Sequence, residues 1–160
     1  MKKWIVLVII GVIVVMVMSN MSYEQQTIVP ALKDLLKDKP FEAWLSQFEI
    51  PYWGKIISVE TRGYFQFLEF LIRKATHFFG YGLLAVIFYT LYRKLKWRFP
   101  IVLAFFTVVV IASLDEYRQS MIPGRSGLVE DVVLDACGAL TLLVLAKLII
   151  VVFKKDSTRK

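Results

Sequence analysis

The sequence predicts an all-α integral membrane protein built as a four-helix transmembrane bundle. Three observations predict it. Hydrophobic residues make up 58% of the chain and the mean hydropathy is +0.61, above the roughly 45–50% apolar content of ordinary soluble domains. The apolar residues are gathered into four long runs. Clusters of lysine and arginine bracket those runs in a regular order. Few of the 160 residues are left for a separate soluble unit, so residues 1–160 read as one membrane domain. The single cysteine, Cys137, excludes an intrachain disulfide and a cysteine-based zinc cluster.

A helix needs about 20 mostly apolar residues to cross a hydrocarbon core about 30 Å thick. The first run, about residues 4–21, has Ser19 and Asn20 as its only clearly polar members. Lys2 and Lys3 followed by an apolar run also fit a signal peptide. No A-x-A-like site follows Met18, however, so an uncleaved anchor is expected. The second run covers about residues 75–92. The third, about 99–116, is long enough only if the helix continues through Asp115 and Glu116. The fourth, about 132–153, contains Asp135 and Lys147. Apart from Pro100 at the very start of the third, no run contains a proline, and helices satisfy their own backbone groups in lipid.

Charge predicts the orientation. Lys2 and Lys3 precede the first run. Arg93, Lys94, Lys96 and Arg98 fill the link between the second and third, and Lys154, Lys155, Arg159 and Lys160 follow the fourth. These segments contain one acid, Asp156, and account for the net charge of +7, the rest of the chain being slightly acidic. Cytoplasmic loops concentrate such residues, so both termini are expected inside (N-in/C-in). The basic balance is topological. No nucleic-acid motif accompanies it, and membrane lipids are the expected partners of the basic flanks.

Residues 22–74 then form an extracytoplasmic helical cap. Pro30 to Phe48 reads as one or two short amphipathic helices, with Leu32, Leu35 and Leu36 on one face before Pro40 and Phe41, Trp44, Leu45 and Phe48 after it. Pro51-Tyr52-Trp53-Gly54 marks a turn, and Gly63 to Arg73 is amphipathic and runs directly into the second span. Two readings of the cap stand: a layer lying on the outer leaflet, and a lid over a lipid-facing groove.

The polar residues of the spans fall at one depth. Arg73, His77 and Tyr81 are spaced i, i+4, i+8 and share a helix face. Asp115 and Glu116 end the third run, with Gln119 one turn beyond Asp115. Arg125 and Ser126 lie in the turn Pro123-Gly124-Arg125-Ser126-Gly127, and Asp131 and Asp135 are one turn apart at the start of the fourth run. Charges in lipid are costly and need partners. The cluster therefore reads in three ways: an interhelix ion network, a catalytic or substrate-binding site, or a metal site. As a catalytic site, His77, Asp115, Glu116, Asp131 and Asp135 are the candidates, histidine being the side chain that titrates near neutrality. Arg73, Tyr81, Gln119, Arg125 and Ser126 are the substrate-binding candidates. No metal signature such as H-E-x-x-H is present, so no metal ligands are assigned, and the sequence names no cofactor. Charges at one end rather than the midplane argue against a transporter. Ala136, Cys137, Gly138 and Ala139, with Gly80 and Gly82 on the second span, form small-residue patches expected at helix contacts.

These elements carry a resemblance. Arg73-Lys74-x-x-His77-Phe78-x-x-Tyr81, Asp115-Glu116-x-x-Gln119, Pro123-Gly124-Arg125-Ser126-Gly127 and Asp131-Val132-x-x-Asp135-x-x-Gly138 resemble, in order and spacing, the VanZ-like family of bacterial membrane proteins. The likeness covers mainly residues 73–145, and Ser22 to Gln26 resembles a further short family element. The family is linked by name to low-level teicoplanin resistance. The resemblance therefore implies a multi-pass protein of the bacterial plasma membrane with a role in the cell envelope. It also implies a lipid-linked cell-wall precursor or a glycopeptide as the partner. It implies no particular reaction, and residues 27–62 carry no family motif.

Overall fold

In the computed structural model of the protein, residues 2–122, 125 and 127–157 are described, without the side chains of residues 19 and 153–157. Pro123, Gly124 and Ser126 of the predicted turn lie outside the described residues, as do Arg159 and Lys160 of the last basic cluster and the side chains of Lys154, Lys155 and Asp156.

The chain begins with α1 (Lys2–Asn20), an apolar helix of 19 residues. Ser22 caps the short α2 (Tyr23–Gln26) with a reciprocal capping box: Gln25 N–H donates to the Ser22 hydroxyl, and Ser22 N–H to the Gln25 side chain. Pro30 sits in the first turn of α3 (Val29–Leu35), where its missing N–H costs nothing. Next come α4 (Glu42–Leu45), the strands β1 (Ile50–Tyr52) and β2 (Lys55–Ile57), and α5 (Val59–Arg62), capped by Ser58. Three long helices complete the chain: α6 (Tyr64–Lys94), α7 (Pro100–Gln119) and α8 (Val129–Ser157).

The strands correct the all-α expectation. Ile50 pairs with Ile57 and Tyr52 with Lys55 in an antiparallel hairpin. Its two-residue turn, Trp53-Gly54, has φ of 49° and 65°, the left-handed pair that matches strand twist. The expected turn at 51–54 is thus the tip of a hairpin. The two short helices expected within 30–48 are present as α3 and α4. Of their apolar residues only Leu32 and Leu45 are buried, whereas Leu35, Phe41, Trp44 and Phe48 are exposed.

Helix boundaries also differ from the apolar runs. The second run is part of a helix that starts at Tyr64, eleven residues before residue 75. At 1.5 Å per residue α6 is about 46 Å long, well beyond a 30 Å core, so one end projects past it. The third run does continue through Asp115 and Glu116 to Gln119. Helices α6, α7 and α8 are each long and apolar enough to cross a membrane. Phe79, Leu83, Phe106, Val110, Val144 and Leu148 point outward from them, exposed. A water-soluble fold rarely leaves so many large apolar side chains uncovered.

α6 is the central helix and packs on both α7 and α8, while α1 lies against α6 and α7. Tyr81, Leu84, Ala85, Phe88, Ala104, Val108, Ala112, Ala139 and Leu143 fill the core. A second cluster, Leu45, Ile57, Tyr64 and Phe67, fastens the hairpin and α4 to the projecting end of α6. That arrangement brings residues 21–63 over one end of the bundle, where the polar residues of α6, α7 and α8 also lie.

Candidate functional site

The crossing of α6 and α8 sets the geometry. A Cβ on Gly138 would stand 2.1 Å from the Phe78 carbonyl oxygen, and one on Gly82 would stand 2.8 Å from the Gly138 carbonyl oxygen. Only glycine lets the two backbones meet so closely. Of the small residues singled out from the sequence, Gly82, Gly138 and Ala139 serve this contact, whereas Gly80 faces open space and Cys137 is exposed.

Asp135 lies one turn before Gly138 and His77 immediately before Phe78, so the same crossing places them side by side. His77 Nδ1 is 3.4 Å from Asp135 Oδ1, but the pair is not aligned as a hydrogen bond. Asp135 is 0% exposed, and neither of its oxygens has a hydrogen-bond partner among the described residues. Glu116 reaches in from α7. Its Oε2 accepts from Leu128 N–H at 3.0 Å and its Oε1 has no partner among the described residues. Gly127 belongs to the same corner, since a Cβ there would stand 2.1 Å from the Glu116 carbonyl oxygen.

Asp131 takes different partners. The Lys74 ammonium and the Tyr52 hydroxyl both donate to its Oδ1, and Lys74 lies 4.5 Å from the centre of the Tyr52 ring. This triad ties the hairpin to α6 and α8. Burial, then the hydrogen bond to Asp131, pushes the Tyr52 hydroxyl above its usual pKa, so it remains a donor at neutral pH.

A second knot holds residues 21–28. Glu69, only 1% exposed, accepts from Tyr23 Oη at 2.7 Å and from Ile28 N–H at 2.8 Å. Burial, followed by the bond to Glu69, raises the Tyr23 pKa. Arg73 donates to Gln26 Oε1 at 3.1 Å and lies 5.2 Å from the Tyr23 ring centre. Arg125 donates to the Met21 carbonyl at 3.0 Å and to Gln119 Oε1 at 2.6 Å. Gln119 donates in turn to Asp115 Oδ2 at 2.6 Å. Burial, then the nearby Arg73 charge, lowers the Arg125 pKa, though a guanidinium stays charged at any working pH. The aspartates therefore pair with neither Arg73 nor Arg125. Both arginines instead bind neutral acceptors, and Arg73 Nη1 is buried with no partner among the described residues.

The space around the two arginines has two adjoining parts. A polar cavity of about 210 Å³ is bounded by Tyr23, Tyr52, Glu69, Arg73, Lys74 and Asp131. An apolar groove of about 490 Å³ runs between α1 and α6, along Leu7, Ile10, Val14, Gly80 and Leu84. Arg73, His77, Gln119 and Arg125 line both.

The family profile of VanZ/LLP1 matches residues 4–151. The chain belongs to the VanZ/LLP1 family. Neither a curated protein nor a solved structure matches it. The family profile reaches through α1 and residues 27–62, where the sequence motifs are silent, so those segments are part of the family unit as well.

In this VanZ/LLP1 protein, Arg73, His77, Tyr81, Asp115, Glu116, Gln119, Arg125, Asp131 and Asp135 all gather at one end of the bundle. Arg73, His77, Gln119, Arg125 and Asp131 reach the polar cavity. Tyr81 and Asp115 face the groove. Glu116 and Asp135 lie behind, buried. Ser126 lies outside the described residues. Sequence reasoning missed Tyr23, Gln26, Tyr52 and Glu69. Glu69 left a signal, being the lone charge in the apolar stretch Phe65–Ile72 and one turn before Arg73. Tyr52 left none, because its partners are 22 and 79 residues away.

Proposed function

We propose that this protein binds an anionic amphiphile at the outer leaflet of a bacterial plasma membrane, and that glycopeptide susceptibility changes through that binding. The observation that carries the reading is that Arg73, His77, Gln119 and Arg125 line both the polar cavity and the apolar groove. A phosphate- or carboxylate-bearing headgroup matches the two guanidinium groups, and an acyl or prenyl chain matches the groove between α1 and α6. Lipid-linked cell-wall precursors have this construction, and they lie where a glycopeptide such as teicoplanin acts.

The reading includes the topology. α1 is about 28 Å long at 1.5 Å per residue and its apolar side chains are exposed, which suits a fourth span. With the basic segments inside, both termini face the cytoplasm and residues 21–63 form the outer cap. The exposed Leu35, Phe41, Trp44, Phe48 and Trp53 suit contact with the headgroup layer.

The test is retention of lipid by purified protein, read by native mass spectrometry, beside teicoplanin and vancomycin susceptibility of a sensitive Gram-positive host at matched membrane abundance. Wild type retains an anionic lipid and shifts teicoplanin susceptibility, and Arg73→Gln with Arg125→Gln loses both. Equal retention by the two proteins overturns the reading.

The second reading is an enzyme acting on the same class of lipid-linked or cell-wall precursor. The proximity of His77 to Asp135 favours it, with His77 as general acid or base oriented by Asp135. Asp131, held by Lys74 and Tyr52, would then position the cap rather than His77. Full function of His77→Ala at equal abundance sinks this reading.

A further inference from the structure

Buried polar atoms from three different helices converge at the α6–α7–α8 crossing without a partner. His77 Nδ1, Glu116 Oε1 and both oxygens of Asp135 are buried and have no hydrogen-bond partner among the described residues. One atom from each of the three residues lies within 4.8 Å of the others. Asp135 is 0% exposed and Glu116 4%. Buried carboxylates without a partner are rare, because desolvating an unpaired charge is far more costly than desolvating a paired one. The nearby cationic side chains have other partners: Lys74 with Asp131, Arg125 with Gln119 and a backbone carbonyl, and Arg73 with Gln26 through Nη2 alone, its Nη1 being without a partner among the described residues. None makes a salt bridge to Glu116 or Asp135 among the described residues.

We propose that His77, Glu116 and Asp135 form a binding site for one first-row divalent cation of the zinc or manganese type. The charges balance, since two carboxylates and a neutral imidazole offer two negative charges to a doubly positive ion. The donor set fits, because imidazole suits zinc while carboxylate oxygens suit both zinc and manganese. The spacing fits too. Donors about 2.1 Å from a tetrahedral ion stand about 3.4 Å from one another, the separation of His77 Nδ1 and Asp135 Oδ1, and the widest separation, at most 4.8 Å, has to close by about 1.4 Å to reach the same ion. A histidine–aspartate ion pair alone leaves Glu116 Oε1 and one aspartate oxygen unanswered, whereas the cation answers all three residues. The ligands come from α6, α7 and α8, so the ion cross-links the three helices behind the polar cavity. Of the three residues, His77 also lines that cavity. The site stands whether or not the cavity holds a lipid.

Metal uptake by purified full-length protein in detergent provides the test. The protein is stripped with chelator, reloaded with zinc or manganese, and measured by elemental analysis and by its melting temperature. Wild type takes up one ion per chain and melts at a higher temperature. Cys137→Ser, which removes the exposed thiol, behaves as wild type. His77→Gln, Glu116→Gln and Asp135→Asn each weaken uptake by about 100-fold or more, beyond the usual effect of losing an outer-shell partner. The zinc and manganese arms identify the preferred ion. Because a variant of a buried residue can misfold, cobalt(II) is also titrated into wild type. A visible absorption band without thiolate charge transfer supports the site, and its absence overturns it. No uptake by folded wild type, unchanged uptake by folded triad variants, or loss of uptake in Cys137→Ser also overturns it.

Discussion

Replacing Gly138 with alanine tests whether the α6–α8 contact sets the geometry of the site. The added Cβ would lie 2.1 Å from the Phe78 carbonyl oxygen and 2.8 Å from its carbonyl carbon, whereas ordinary contact begins at 3.4 Å. All three nearest atoms are backbone, so no side-chain rotation relieves the clash and the helices must separate by about 1 Å. Overpacking of this kind costs about 1–3 kcal/mol. Asp135 is on the same face one turn earlier, and His77 adjoins Phe78, so the displacement also pulls the two apart. The control is Gly80→Ala on α6, where a Cβ meets nothing within 4 Å and alanine in a helix interior gains about 0.5–1 kcal/mol over glycine. Thermal unfolding of the purified proteins in one detergent is the assay. Gly138→Ala melts several degrees below wild type, and Gly80→Ala melts at or slightly above it. If Gly138→Ala melts with wild type, or if the two alanines act alike, close backbone approach is not what positions these residues.

Four further perturbations probe the knots around the cavity. Glu69→Ala removes the charged acceptor of the half-buried Ile28 N–H and of the Tyr23 hydroxyl, at a cost of about 1–3 kcal/mol, so limited proteolysis within residues 21–28 speeds up by an order of magnitude or more. Tyr52→Phe removes one of the two donors to Asp131, weakening hairpin attachment by about 1–2 kcal/mol and increasing quenching of Trp53 fluorescence by aqueous quenchers. The raised Tyr52 pKa favours the protonated hydroxyl in the folded state. The stability difference between wild type and Tyr52→Phe is therefore flat from pH 6 to 8 and shrinks only as pH rises past the unfolded tyrosine value of about 10. A difference that disappears between pH 6 and 8 contradicts that assignment. Arg125→Lys keeps the charge but not the fork that joins Gln119 to the Met21 carbonyl, and melting is expected to fall by the equivalent of about 1–2 kcal/mol.

The sequence by itself determined the membrane class, the long helices and the end of the bundle where polar residues gather. Lipid leaves a chain few options: about 20 apolar residues must form a helix, and the helical repeat then fixes which residues share a face. That is why Arg73, His77 and Tyr81, and Asp115 with Gln119, were legible from spacing alone. The motif order 73–138 likewise pointed to the family that the full-length match then established. Partner choice was not legible. From the sequence Asp131 could have met Arg73, Lys74, His77 or Arg125, and the fold decided for Lys74, with Tyr52 of the hairpin as second donor. The hairpin itself is too short for a period-two pattern, with three-residue strands and Pro51 inside one of them. Only the tertiary structure revealed that Gly138 meets the Phe78 backbone, that this contact sets His77 beside Asp135, and that Glu116 reaches the pair from α7. Local spacing is set along one helix, whereas convergence between helices depends on how closely their backbones can approach.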